Sequence, residues 1–274
     1  MKILRIISLL SIDIVIGTFA MGSMAIYMLD VTMPIFWWIV LPTTVWLIYT
    51  VDHLLDAHKA GSTIVSQRHL FHLHHFKKLV PFCMAVAVSI CLITMLYFPI
   101  QLLITGILIG SICVAYLLYS RFAQIYTFPK EFIIAIVYTI GIWFAPLMLS
   151  KFTFVQLLPI MLTFLTALNN IVLFSVVGKL EDLKSGFSSV AITMSEVWVI
   201  KLLKISIVFT IIISVAMVFV FQSQIKLYHV SIIFGAMNLT LWWILQYRKS
   251  LVQYDRYRII GDAIFILPLI LYLI

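Results

Sequence analysis

The chain has 274 residues, 64% of them hydrophobic and 10% charged, with a net charge of +8 and a mean hydropathy of +1.17. Soluble domains carry about 25% charged residues, so this composition excludes a water-soluble fold of any size. It specifies a polytopic, all-α membrane protein read as one domain over 1–274. The basic balance does not point to nucleic acid, because no soluble basic module is present to carry such binding.

A bilayer crossing takes about 20 apolar residues. By that rule the sequence predicts nine transmembrane helices in one bundle, at about 4–29, 33–56, 78–98, 100–120, 131–150, 153–178, 199–222, 227–247 and 257–274. The first stretch is too long for a secretory apolar core and lacks a small-residue cleavage site, so it reads as a retained span. Cys83, Cys91 and Cys113 fall inside apolar stretches without paired spacing and read as packing residues. With a cytoplasmic N-terminus, sixteen Lys and Arg fall on the cytoplasmic side, and only Lys151 and Lys226 fall opposite. That asymmetry follows the positive-inside rule and supports the count. Short loops and the lack of a transit peptide suit a bacterial inner membrane.

Two connections on the cytoplasmic side gather the chemistry. Asp52 and Asp56 end the second span in WLIYTVDHLLDAHK, and their i, i+4 spacing points both carboxylates to one face. The alternative is a solvated helix end. Such a pair can hold Mg²⁺, which favours a few carboxylates together with substrate phosphates. The second connection, about 179–198, carries Glu181, Asp182, Lys184 and Gly186 and follows a span with Asn169 and Asn170 inside it; its alternative is an ordinary polar turn. Carboxylate-held metal among Lys and Arg is the chemistry of a polyphosphate site. Asp13 and Asp262 lie within the first and ninth spans, where an acid is a functional candidate.

Six of the seven histidines lie between 53 and 75. Imidazole suits iron or zinc, so a His-rich di-iron oxygenase or desaturase is an alternative enzyme. His229, on the opposite side, is all that remains for a third box. The structural alternative is an interfacial stretch with His and Lys at the headgroups and Leu70, Phe71, Leu73 and Phe76 in lipid.

The stretch Phe174–Ala191, FSVVGKLEDLKSGFSSVA, resembles the second aspartate motif of the UbiA-type intramembrane prenyltransferases. YTVDHLLDAHK at 49–59 resembles the family's first motif, at the end of its second helix. Weaker echoes are Val15–Thr18 and the segment 126–130. The resemblance implies a nine-helix bundle and an isoprenyl diphosphate whose isoprenyl group is transferred to a lipophilic acceptor, an aromatic one included. It further implies Asp52, Asp56 and Asp182 as metal ligands with Glu181 as a neighbour, and Mg²⁺ as cofactor. Lys130 would contact the diphosphate; Arg68 and Lys184 would be further contacts, and Asn170 an added oxygen donor. The chain departs from the pattern at Ile48 and Tyr49, where the family has Asn-Asp, at Gly178 in place of an Asp, and at Ser11 in place of an Arg. A non-catalytic relative that binds lipid or a partner protein, or a small transporter, is the remaining alternative.

Overall fold

The computed structural model describes residues 2–61, 66–122 and 130–273, without the side chains of 2–5, 60 and 116–122. The described residues are helical, with short turns between helices and no strand. Seven helices are long and apolar enough to cross a membrane: α2 (Ile12–Leu29), α3 (Trp37–Ala60), α5 (Phe76–Tyr97), α7 (Lys130–Leu149), α8 (Leu157–Val177), α11 (Glu196–Val220) and α12 (Ile225–Gln246). This is a helical integral membrane protein. Two more apolar elements accompany them. One is α6 (Ile100–Phe122); the other is α14 (Arg256–Ala263), which runs on into a 3₁₀ segment, Ile264–Tyr272.

The predicted first span is two helices rather than one. α1 (Lys2–Leu9) ends at a break where Ser11, fully buried, adopts φ 54°, and α2 starts at Ile12. A residue in the left-handed region stops the helical ladder and strands carbonyls in the preceding turn. Trp46 of α3 donates its indole N–H to Leu10 O at 2.9 Å, so one of those carbonyls is satisfied.

The interior is organised around α8, which packs on α7, α11, α12 and α14, while α2 packs on α3 and the 3₁₀ tail. Polar side chains tie these helices across an apolar core. Asn169 Nδ2 donates to Asn238 Oδ1 at 3.1 Å, Ser206 donates to Asn169 Oδ1 at 2.6 Å, and Asn238 Nδ2 donates to Thr166 Oγ1 at 2.8 Å. Trp143 of α7 donates to Thr163 of α8 at 2.9 Å. Interhelical hydrogen bonds of this kind hold helices where lipid is as apolar as the core. By contrast, α5 buries little besides Cys83 and presents an apolar surface outward.

At one end of the bundle, beside the start of α7, three described stretches meet: 66–75, 178–195 and 247–255. The first contains α4 (Gln67–His74); the second contains α9 (Lys179–Ser185) and α10 (Val190–Thr193); the third contains α13 (Arg248–Leu251) and a 3₁₀ turn, Gln253–Asp255. Residues 126–129, a weak echo of the family pattern, lie outside the described residues.

The histidine stretch is not arranged as the interfacial alternative expects. In α4 the polar residues Arg68 and His72, one turn apart, are buried against the protein, while Gln67, His74 and the following His75 are exposed. Arg68 has internal partners in Ser8 and Asp262, and these outweigh the pull of the headgroups. Leu70, Phe71, Leu73 and Phe76 are all half-buried.

Candidate functional site

Asp52 and Asp56 occupy successive turns near the end of α3, both half-buried and close enough to interact electrostatically. Lys130, the first residue of α7, lies within electrostatic reach of both. The same Lys130 reaches Asp182 on α9. Acidic residues 126 or more positions apart in sequence thus share one ammonium group, because the end of α3, the start of α7 and the short helix α9 come together.

His69 closes the space between the two acidic regions. Its Nε2 stands 4.0 Å from Asp56 Oδ2, and its ring packs at 4.8 Å between centroids on Phe187, in the turn after α9. Burial, then Arg258, Arg68, His72 and Lys130, push the His69 imidazole down to about 3. The ring is therefore neutral at physiological pH, and its approach to Asp56 is not an ion pair. Burial also lowers His72. A neutral imidazole among cations leaves the positive field of the site to Lys and Arg.

Glu181 and Asp182 have raised carboxyl pKa values. Burial is the largest cause for each, and Arg258 is the chief opposing influence. Arg258 lies on α14, donates its Nε–H to Tyr257 Oη at 2.8 Å, and rests over the Phe174 ring at 5.9 Å. A Cβ built on Gly178 would stand 3.2 Å from Arg258 Nη2 and 3.3 Å from Tyr257 Oη. The position where the family pattern has an Asp is thus packed against a guanidinium, which already serves the two remaining acids of that loop.

The loop is fixed from below by a buried acid at the start of α7. Glu131, 2% exposed, accepts from Val190 N at 2.8 Å and from Ser175 Oγ at 3.2 Å. Its carboxyl caps the start of α10, where free N–H groups need an acceptor. Ser189, the residue before α10, lies beside Asp182.

The other expected contacts separate. Arg68 turns away from Asp52 and Asp56: its Nη2 donates to Ser8 Oγ at 2.7 Å and stands 3.8 Å from Asp262 Oδ2. Lys184 is on the exposed face of α9, near Glu181. Asn170 lies deeper, beside Asp262. His229 is remote from the other histidines, paired with Tyr27 Oη at 3.0 Å. Arg258 and Glu131 had no sequence signal beyond a basic residue after a loop and a lone acid at a span's start. Their partners are 76 and 59 positions away.

Among the described residues, no three His, Cys, Asp or Glu side chains form a group that could hold a metal ion. Asp52 and Asp56 still provide the two carboxylates on one face that suit Mg²⁺ completed by substrate oxygens and water. Glu181 and Asp182, facing Arg258, are a poorer donor set for a second ion. The chain matches no protein-family model, no curated protein and no solved structure.

Proposed function

We propose that this protein is a UbiA-like intramembrane prenyltransferase that binds an isoprenyl diphosphate at the gathered connections and transfers the isoprenyl group to a lipophilic acceptor. In this reading the chain crosses the bilayer nine times, with α6 and the α14–3₁₀ segment joining the seven long helices. The N-terminus and the site lie on the cytoplasmic side. The convergence of Asp52, Asp56 and Asp182 on Lys130 carries the reading, since two separated motifs would have no use for a shared counter-charge.

Asp52 and Asp56 would hold Mg²⁺, which when bound neutralises the diphosphate and eases its departure. Lys130 and Arg258 place fixed positive charge where the leaving group develops negative charge. The allylic C–O bond breaks, the diphosphate leaves with the electron pair, and the acceptor bonds to the allylic carbon and loses a proton. His69 and Phe187 cover the space between the two loops and limit water there.

The test uses membranes containing the protein, labelled farnesyl or geranylgeranyl diphosphate, and lipid extracts as acceptor source. Mg²⁺-dependent, lipid-soluble product that EDTA abolishes is the expected result. Asp52→Asn should lower the rate by at least about 100-fold at unchanged expression. Product formation by the Asp52→Asn, Asp182→Asn double variant at the wild-type rate would remove the proposal.

A further inference from the structure

A cavity inside the bundle is lined by Tyr49, one turn before Asp52 on α3. Its polar wall consists of Asp13, Thr18, Tyr49, Tyr138, Asn170 and Asp262, drawn from five helices, and its volume is about 30 Å³. Three of these side chains are more than nine-tenths buried, and each has an oxygen without a hydrogen-bond partner: Thr18 Oγ1, Asn170 Oδ1 and Asp262 Oδ2. Buried acceptors are ordinarily paired, so three in one cavity wall call for something to meet them.

The charge balance says what that is. Asp13 and Asp262 lie within electrostatic reach of each other. The wall holds no cation. Arg68 stands 3.8 Å from Asp262 Oδ2, but its Nη2 donates to Ser8 and its guanidinium lines the neighbouring cleft together with Arg258. Arg258 reaches Asp262 as well, but its charge is shared with Glu181 and Asp182. With both carboxylates ionised, Asp13 and Asp262 outweigh Arg68 and that share of Arg258 and leave net negative charge at membrane depth, which is costly. Asn170 and Thr18 contribute neutral oxygens, which coordinate without adding charge. A divalent ion would overcompensate the cavity; a singly charged one balances it.

We propose that this cavity binds one monovalent cation, held by Asp262 Oδ2, Asn170 Oδ1 and Thr18 Oγ1, with Asp13 as further counter-charge. The positive charge comes either from an alkali metal ion or from the ammonium group of a lipophilic amine. Asp52, Asp56 and Asp182 are not in the wall, so the site stands independently of the prenyl-transfer reading.

The test uses the full chain in detergent micelles with EDTA throughout, in sodium, potassium, butylammonium or choline chloride at one ionic strength. Unfolding midpoints are followed by intrinsic fluorescence, and retention of radioactive sodium by filtration. At about tenfold above its dissociation constant, the preferred cation should raise the midpoint by roughly 3–5 °C relative to choline. Asp262→Asn and Asn170→Ala should lose that rise, and Asp52→Asn should keep it. A rise with butylammonium and none with sodium or potassium would assign the charge to an amine. Thr18→Val, nearly the same shape without the oxygen, covers the case in which Asp262→Asn does not fold; it should weaken binding about tenfold. The proposal is overturned if no cation differs from choline in the wild type, or if Thr18→Val binds like the wild type.

Discussion

Replacing Glu131 tests whether the second loop is held by the carboxyl beneath it. Glu131→Ala removes two hydrogen bonds, from Val190 N and Ser175 Oγ, each contributing about 1 kcal/mol. It also leaves the buried Val190 N–H without its acceptor, at a cost of about 1–3 kcal/mol. The combined loss is about 3–5 kcal/mol, or roughly 5–9 °C in unfolding midpoint for a chain of this size. Glu131→Gln keeps the accepting Oε1 and replaces Oε2, which has no hydrogen-bond partner, so it should cost less than about 1 kcal/mol. Heating the detergent-solubilised protein gives the midpoints by tryptophan fluorescence. Limited trypsin digestion after the exposed Lys184 reports on the loop itself, and Ala, not Gln, should speed that cleavage. An Ala variant that melts within about 2 °C of the wild type, or a Gln variant as unstable as Ala, would refute the capping role.

Acid should weaken the protein partly through His69. Its pKa is about 3 in the fold against an ordinary 6.5, so between those values the unfolded chain binds a proton that the folded chain does not. The resulting stability is complete above pH 6.5 and declines as pH falls, by up to about 3 kcal/mol at pH 4. His69→Gln should flatten the midpoint-against-pH curve over that range, and a curve identical to the wild type would contradict the assignment. Gly261→Ala should destabilise by about 1–3 kcal/mol, because a Cβ there would stand 2.5 Å from Phe174 Cε1 and 2.7 Å from Asn170 Oδ1. An unchanged midpoint would show that both side chains yield freely. Asn238→Leu cuts the link between α8 and α12 and should cost about 1–2 kcal/mol, read as a lower midpoint in thermal unfolding.

Much of the architecture is legible in the chain because the bilayer imposes a length rule that few other environments impose. The long helices begin and end within a few residues of the apolar stretches. The break at Ser11 is not legible: a left-handed serine inside an apolar run leaves no change in hydropathy. The facing of Asp52 and Asp56 follows from helical spacing alone. What Asp182 meets does not, since Lys130 and Arg258 come from other elements and only the packing of α7 and α14 brings them close. The histidine segment misleads for a related reason. Its alternation of polar and apolar residues marks an amphipathic helix, but pattern cannot tell which polar residues turn inward; here Arg68 and His72 do, while Gln67, His74 and His75 do not. Gly178 reads in sequence as a lost carboxylate; in the fold it is a close-packed contact with Arg258 and Tyr257.

The 3₁₀ winding of the C-terminal tail changes how far a short segment can reach. Eight α-helical residues advance about 12 Å, and nine residues at the steeper 3₁₀ rise advance about 18 Å. Seventeen residues therefore cover about 30 Å, the thickness of a hydrocarbon layer that would otherwise take about twenty. Three residues per turn also bring Phe265, Pro268 and Leu271 into a straight buried ridge along the tail. Rewinding those nine residues as α-helix would shorten the tail by about 4–5 Å and spiral the ridge away from α2. The winding of Ile264–Tyr272 thereby sets how much length so short a tail can cover.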